Sequence, residues 1–136
     1  MPYLLDTNVL SELRKGTKCN RLVRRWAAST IEDRHCISVL SLGEIRKGIE
    51  ILRRKSPSQC AAFEHWLARL KEDYAEDILS ITEDVVNCWG HLMAVRTQPV
   101  IDSLIAATAL EFRLTIATRN VGDFELLSVD FVNPFE

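Results

Sequence analysis

The chain has 136 residues, 47% of them hydrophobic, and a formal net charge of −2. That length suits one domain spanning residues 1–136, enough to bury about two-thirds of the unfolded surface. No apolar run approaches the ~20 residues of a membrane span, and the start, MPYLLDTN, lacks the basic region of a secretory leader, so a cytoplasmic location is expected.

Tyr3–Leu5 is predicted as a short apolar strand ending at Asp6, with a short helix over Val9–Arg14. After a turn between Gly16 and Asn20, Arg21–Ser29 has the pattern of a helix with Leu22, Val23, Trp26 and Ala27 on its apolar side. His35–Val39 is the next strand. Ser41–Arg54 is an amphipathic helix, because Leu42, Ile45, Ile49 and Leu52 recur at helical spacing. Pro57 opens another, with Phe63, Trp66, Leu67 and Leu70 at core positions.

Ile78–Ile81 is predicted as a strand, and Thr82 caps a helix that passes through Val86, Trp89 and Met93 until Pro99 stops it. Ile101–Phe112 is apolar almost all round, which predicts a buried helix. Leu114–Ala117 is the last clear strand, followed by a turn at Asn120–Asp123. Strands alternating with helices imply an α/β fold, with a parallel sheet covered on both faces.

Cys19, Cys36, Cys60 and Cys88 form no C-x-x-C pair and are expected to be reduced thiols. His35, His65 and His91 show no metal-ligand spacing. Charge is unevenly distributed. Residues 1–71 hold 14 Lys and Arg against 7 Asp and Glu, and residues 72–136 hold 3 against 12. Either these are solvated faces, or a basic surface for phosphates lies opposite an acidic one. Arg14, Lys15, Lys18, Arg21, Arg24 and Arg25 are the candidate phosphate contacts, although a solvated basic helix has the same pattern.

Four acids occupy positions where strands end or helices begin: Asp6, Glu44, Asp102 and Asp123. Asp6 and Asp102 are flanked by apolar runs with no neighbouring cation, and a buried carboxylate needs a donor, a partner or a metal. In open α/β sheets, ligands bind beyond the carboxyl ends of strands, where Asp6 and Asp123 are expected. Each acid has a simpler reading as well. Asp6 and Asp102 could be helix caps, Glu44 could pair with Lys47, and Asp123 could be a turn residue. Ser41 and Gly48 beside Glu44 are small and leave room for its carboxylate to reach inward. An all-carboxylate set suits Mg²⁺ or Mn²⁺. Neither G-x-x-x-x-G-K-[ST], G-x-G-x-x-G nor G-x-S-x-G occurs.

The segments LLDTNVLSEL, SLGEIRKGIE, PVIDSLIAATAL and ATRNVGDFE, in that order, resemble the signature segments of the PIN-domain ribonucleases, and more narrowly the VapC-type toxins of toxin–antitoxin pairs. The resemblance implies a three-layer α/β/α sandwich with a parallel sheet of about five strands. It also implies a Mg²⁺- or Mn²⁺-dependent endoribonuclease, usually a homodimer, silenced by a cognate antitoxin. On that resemblance Asp6 and Asp102 match the principal metal-binding acids, Glu44 the helix-borne acid and Asp123 the final one. Asn8 and Thr118 match supporting polar positions for the first and last acids, with Asn120 beside them. The expected reaction is in-line hydrolysis of RNA leaving 5′-phosphate and 3′-hydroxyl ends. The stretch Arg96–Pro99 is short for the family, which bears on the rim of the site. Two alternatives are a phosphotransfer domain, which would need a second acid where Thr7 and Asn8 stand, and a non-catalytic PIN-like module binding RNA or protein.

Overall fold

A computed structural model describes residues 1–136. Five parallel strands form one sheet in the order β3-β2-β1-β4-β5: β1 Tyr3–Leu5, β2 His35–Ser38, β3 Ile78–Leu79, β4 Thr115–Ala117 and β5 Phe131–Val132. Six α-helices connect or flank them: α1 Thr7–Leu13, α2 Arg21–Ser29, α3 Val39–Lys55, α4 Cys60–Asp73, α5 Glu83–Val95 and α6 Val100–Phe112. The chain builds outward from β1 to β3, then returns to lay β4 on the other side of β1. The strand order therefore reverses between β1 and β4, the place at which open α/β sheets bind their ligands.

Alternation along β1 sorts the core into two layers. Leu4 points to one face with Cys36, Ile105, Ala106, Ile116 and Phe124. Tyr3 and Leu5 point to the other, with Val9, Ile37, Ile45, Ile49, Leu67 and Leu70. The result is a parallel sheet covered on both faces, as the alternation of elements implied, in the three-layer α/β/α sandwich that the resemblance implied.

Side-chain caps fix several helix starts. Asn20 accepts from the N–H groups of Leu22 and Val23, Ser38 from Leu40, and Thr82 from Val85. Ser38 ends β2 and caps α3, so Val39 is helical rather than the last strand residue. β3 stops at Leu79, not Ile81. β5 was not legible in the sequence. It forms because Asp130 and Val132 offer carbonyls to the N–H groups of Ile116 and Thr118.

α6 is buried on one side only. Ser103 and Ile105–Ala109 are buried, whereas Val100 and Ile101 are 54% and 39% exposed, and Phe112 is exposed as well. An outer-layer helix has one face to cover, so a nearly all-apolar sequence overstates its burial. Leu22 is similarly exposed on α2.

Candidate active site

Asp6 is the best-anchored member of the site. It leaves β1 with extended backbone, its own N–H bonded to the carbonyl of Ala117, and begins α1 as N-cap. Its side chain is buried, 6% exposed. Oδ1 accepts the Thr7 N–H at 2.8 Å, and Oδ2 accepts the Thr118 hydroxyl at 2.8 Å and the Asn8 amide at 3.3 Å. The capping role and the binding role are therefore compatible. An ionised carboxylate has about four acceptor positions, and the protein fills three.

Asn8 and Thr118 both serve Asp6. The Asn8 amide also reaches the Thr118 hydroxyl at 3.3 Å, and the Asn120 N–H donates to that same hydroxyl at 3.0 Å. Asn8 and Thr118 were expected to support the first acid and the last, and the side chains of both bond to Asp6. β4 pairs directly with β1, which puts the residue after Ala117 against the residue after Leu5.

Thr7, noted in the sequence only as standing where a phosphotransfer domain would need a second acid, donates its hydroxyl to Glu44 Oε1 at 2.8 Å. Glu44 is exposed, so it does not reach inward as expected, and it forms no ion pair with Lys47. Together with Gly48 it lines two grooves, of about 300 and 550 Å³. Phe63 and Trp66 wall the first groove, and Ile51 and Ile101 the second.

Asp102 lies in the first turn of α6, but Pro99 occupies the cap position, so Asp102 is not the cap. Its half-buried carboxylate accepts no hydrogen bond from the protein. Asp123 closes a short 3₁₀ turn, Val121–Asp123, and is exposed.

Electrostatics ties the four together. The Asp102 carboxyl is pushed above its ordinary value by burial first, then by the charges of Asp123, Asp6 and Glu44. Burial also raises Asp6, with a smaller contribution from Asp123, against the opposing hydrogen bonds of Thr118, Thr7 and Asn8. None of the salt bridges in the protein includes any of these four acids. Their mutual repulsion has no balancing cation. At the same time, no three His, Cys, Asp or Glu side chains are gathered closely enough to hold one metal ion. The oxygen-only donor set fits a hard dication by its chemistry, not as a preformed cage.

The basic residues divide. The Arg14 guanidinium lies 4.2 Å from the Phe63 ring centre, Lys15 pairs with Glu12 at 3.0 Å, and Arg24 donates to the Thr17 carbonyl. Lys18, Arg21 and Arg25 are exposed and form no ion pair. Sequence reasoning passed over Arg119, whose N–H donates to Asn8 Oδ1 at 3.0 Å, although it lies inside the quoted segment ATRNVGDFE.

The PIN domain family model matches residues 3–128. Among curated relatives, "VapC ribonuclease Y4jK" of Sinorhizobium fredii is 29% identical over 98% of this chain and 97% of its own length. "Toxin FitB" of Neisseria gonorrhoeae is 29% identical, covering 97% of each chain. The crystal structure of FitAcB from Neisseria gonorrhoeae superposes with a TM-score of 0.86 at 28% identity, over 98% of this chain and 99% of that one.

Proposed function

The chain belongs to the PIN domain family, and from that premise we propose that it is a metal-dependent endoribonuclease toxin, neutralised by a cognate antitoxin. The observation that carries the reading is the set of four carboxylates at the carboxyl ends of β1, β2 and β4, charged against one another with no protein cation to balance them. Full-length similarity to proteins named as a VapC ribonuclease and a toxin supports it.

Asp6, Asp102, Asp123 and Glu44 are the residues that would hold Mg²⁺, with Mn²⁺ as a substitute. Such an ion supplies Lewis acidity for activating water and neutralising phosphodiester charge. The protein's own contribution is positioning. Thr118, Asn8 and the Thr7 N–H hold Asp6 at a fixed orientation and leave it one free acceptor position. The hydroxyl of Thr7, the residue after Asp6, holds the Glu44 carboxylate by a hydrogen bond. Asp102 and Asp123 accept nothing from the protein, so their oxygens remain available. The two grooves beside Glu44 give the RNA strand room to lie on either side of the scissile phosphate. In-line hydrolysis would leave 5′-phosphate and 3′-hydroxyl ends.

The same uncompensated acids suit a cationic side chain of the antitoxin, by charge-assisted pairing in a partly desolvated crevice. A homodimer is the assembly we propose, with exposed Val95, Val100 and Ile101 as apolar surface for a second copy to cover. Light scattering of the purified chain tests that assembly.

The decisive experiment incubates antitoxin-free protein with structured RNAs in Mg²⁺, Mn²⁺ and chelator, with Asp6→Asn as the control against contaminating nuclease. Cleavage that needs metal and Asp6 is the expected result. RNA binding without metal-dependent cleavage would instead establish the non-catalytic module, a reading favoured by the lack of a closed acid cage.

A further inference from the structure

Resting on the ribonuclease reading, we propose that Arg119 is a phosphate contact for the RNA strand at the rim of the acid site, held in place by the ring of Phe135. An RNA approaching four uncompensated carboxylates needs a cation close by that is not consumed in neutralising them. Residues 72–136 offer only Arg96, Arg113 and Arg119 against twelve acids. Arg113 is the left-handed cap at the end of α6 opposite Asp102, and Arg96 lies in the α5–α6 connection.

Arg119 is tied to the site through its backbone. It follows Thr118, whose hydroxyl donates to Asp6, and its own N–H is fixed on Asn8 Oδ1 at 3.0 Å. Its side chain is held by an aromatic ring. The guanidinium carbon lies 4.0 Å from the centre of the Phe135 ring, and the group forms no salt bridge. Phe135 is itself positioned, because its N–H donates to Asn133 Oδ1 and its ring packs against the α1/α3 core layer. A guanidinium stacked by its face keeps its five N–H donors at the edge, and here the protein uses none of them. Such an exposed planar fork matches a phosphate in bidentate fashion. Its charge also acts on Glu12 of α1, lowering that carboxyl after the stronger effects of the Asn20 N–H and Lys15.

The test measures binding of a labelled single-stranded RNA to the Asp6→Asn protein in Mg²⁺ across a salt series, with cleavage by the otherwise wild-type chain measured separately. Adding Arg119→Ala should weaken binding about tenfold, the low end for a charge-assisted hydrogen bond. It should also reduce the slope of log K against log salt by about 0.7, the value for one single-strand phosphate contact. Arg119→Lys should restore the slope but not the full affinity. Phe135→Leu should keep the slope and weaken binding about two- to fivefold, as expected for losing a cation–π contact at an exposed site. A merely structural role would not move the slope. Arg119→Met keeps the side-chain stem over Phe135 and should behave as Arg119→Ala, which separates charge from packing. Unchanged affinity and slope in cooperatively folded Arg119→Ala and Arg119→Met proteins would overturn the proposal. So would unchanged RNA binding with weakened antitoxin binding, which would assign Arg119 to the antitoxin. RNA binding that ignores Arg119 removes this inference alone, whereas a chain that neither binds nor cuts RNA removes the ribonuclease reading with it.

Discussion

Asp102→Asn should leave the metal-free protein at least as stable as the wild type while abolishing its activity. The Asp102 carboxyl is raised above its ordinary 3.8 by burial and by Asp123, Asp6 and Glu44, and nothing in the protein donates to it. A carboxyl raised in the folded state is unpenalised below its unfolded pKa, where it is protonated in both states. The penalty appears as pH rises through the folded value and is complete at neutrality. Removing the charge should therefore stabilise the protein at pH 7, and the gain should shrink toward zero as pH falls below about 4. The side chain is only half-buried, so screening limits each repulsive contact to the few tenths of a kcal/mol typical of partly exposed charges. Three such neighbours make roughly 1 kcal/mol, or about 3–5 °C in Tm for a domain of this size. Metal should act in the opposite sense. At ten times its Kd, Mn²⁺ adds about 1.4 kcal/mol to the wild type and should add little to the mutant. Thermal melts in chelator and in Mn²⁺, repeated from pH 4 to 8, read all of this. A strongly destabilised Asp102→Asn protein in chelator would refute the electrostatic argument, and equal metal shifts in both proteins would put the ion elsewhere.

Asp6→Asn should abolish RNA cleavage and relieve growth arrest on expression, whereas Asp6→Ala should additionally lose about 1 kcal/mol or more of stability, because it removes a helix cap. Asp123→Asn should lose less activity in the same cleavage assay, being exposed and held by no side chain. Thr118→Val should cost about 1–3 kcal/mol in denaturant melts and raise the Asp6 carboxyl further, because the Thr118 hydroxyl is the largest hydrogen bond lowering it; an unchanged melt would remove it as the Asp6 anchor. The Ser41 hydroxyl is buried without a partner, so Ser41→Ala should stabilise the protein by about 1 kcal/mol, read as a rise in Tm. His35 stacks on Trp26 at 5.4 Å, and burial lowers its pKa. Its contribution is intact above the ordinary 6.5 and declines as pH falls through and below that value, so His35→Phe should flatten stability between pH 7 and 5.

Much of the fold follows from local pattern. The 3-4-3 spacing over Leu42–Leu52 set the inner face of α3, and Thr82 and Asn20, one a recognised cap and the other the end of a turn, start α5 and α2. Asp6 and Asp102 stood out because charge beside apolar runs is costly wherever the chain goes, whereas Glu44 and Asp123, both exposed, stood out only by position and by resemblance. Tertiary structure decided what each acid touches. Asp6 and Thr118 are 112 positions apart and meet only because β4 returns to lie beside β1, an arrangement no short-range periodicity encodes. β5 has two residues and no alternation to read; it exists because β4 leaves N–H groups that Asp130 and Val132 can satisfy. The exposed face of α6 was hidden in the sequence for a related reason: hydrophobicity states what a helix can bury, and only the packing of layers determines which face has a neighbour. Arg119 shows both parts at once. Its place beside the acids comes from the segment it belongs to, while the direction of its guanidinium is set by Phe135.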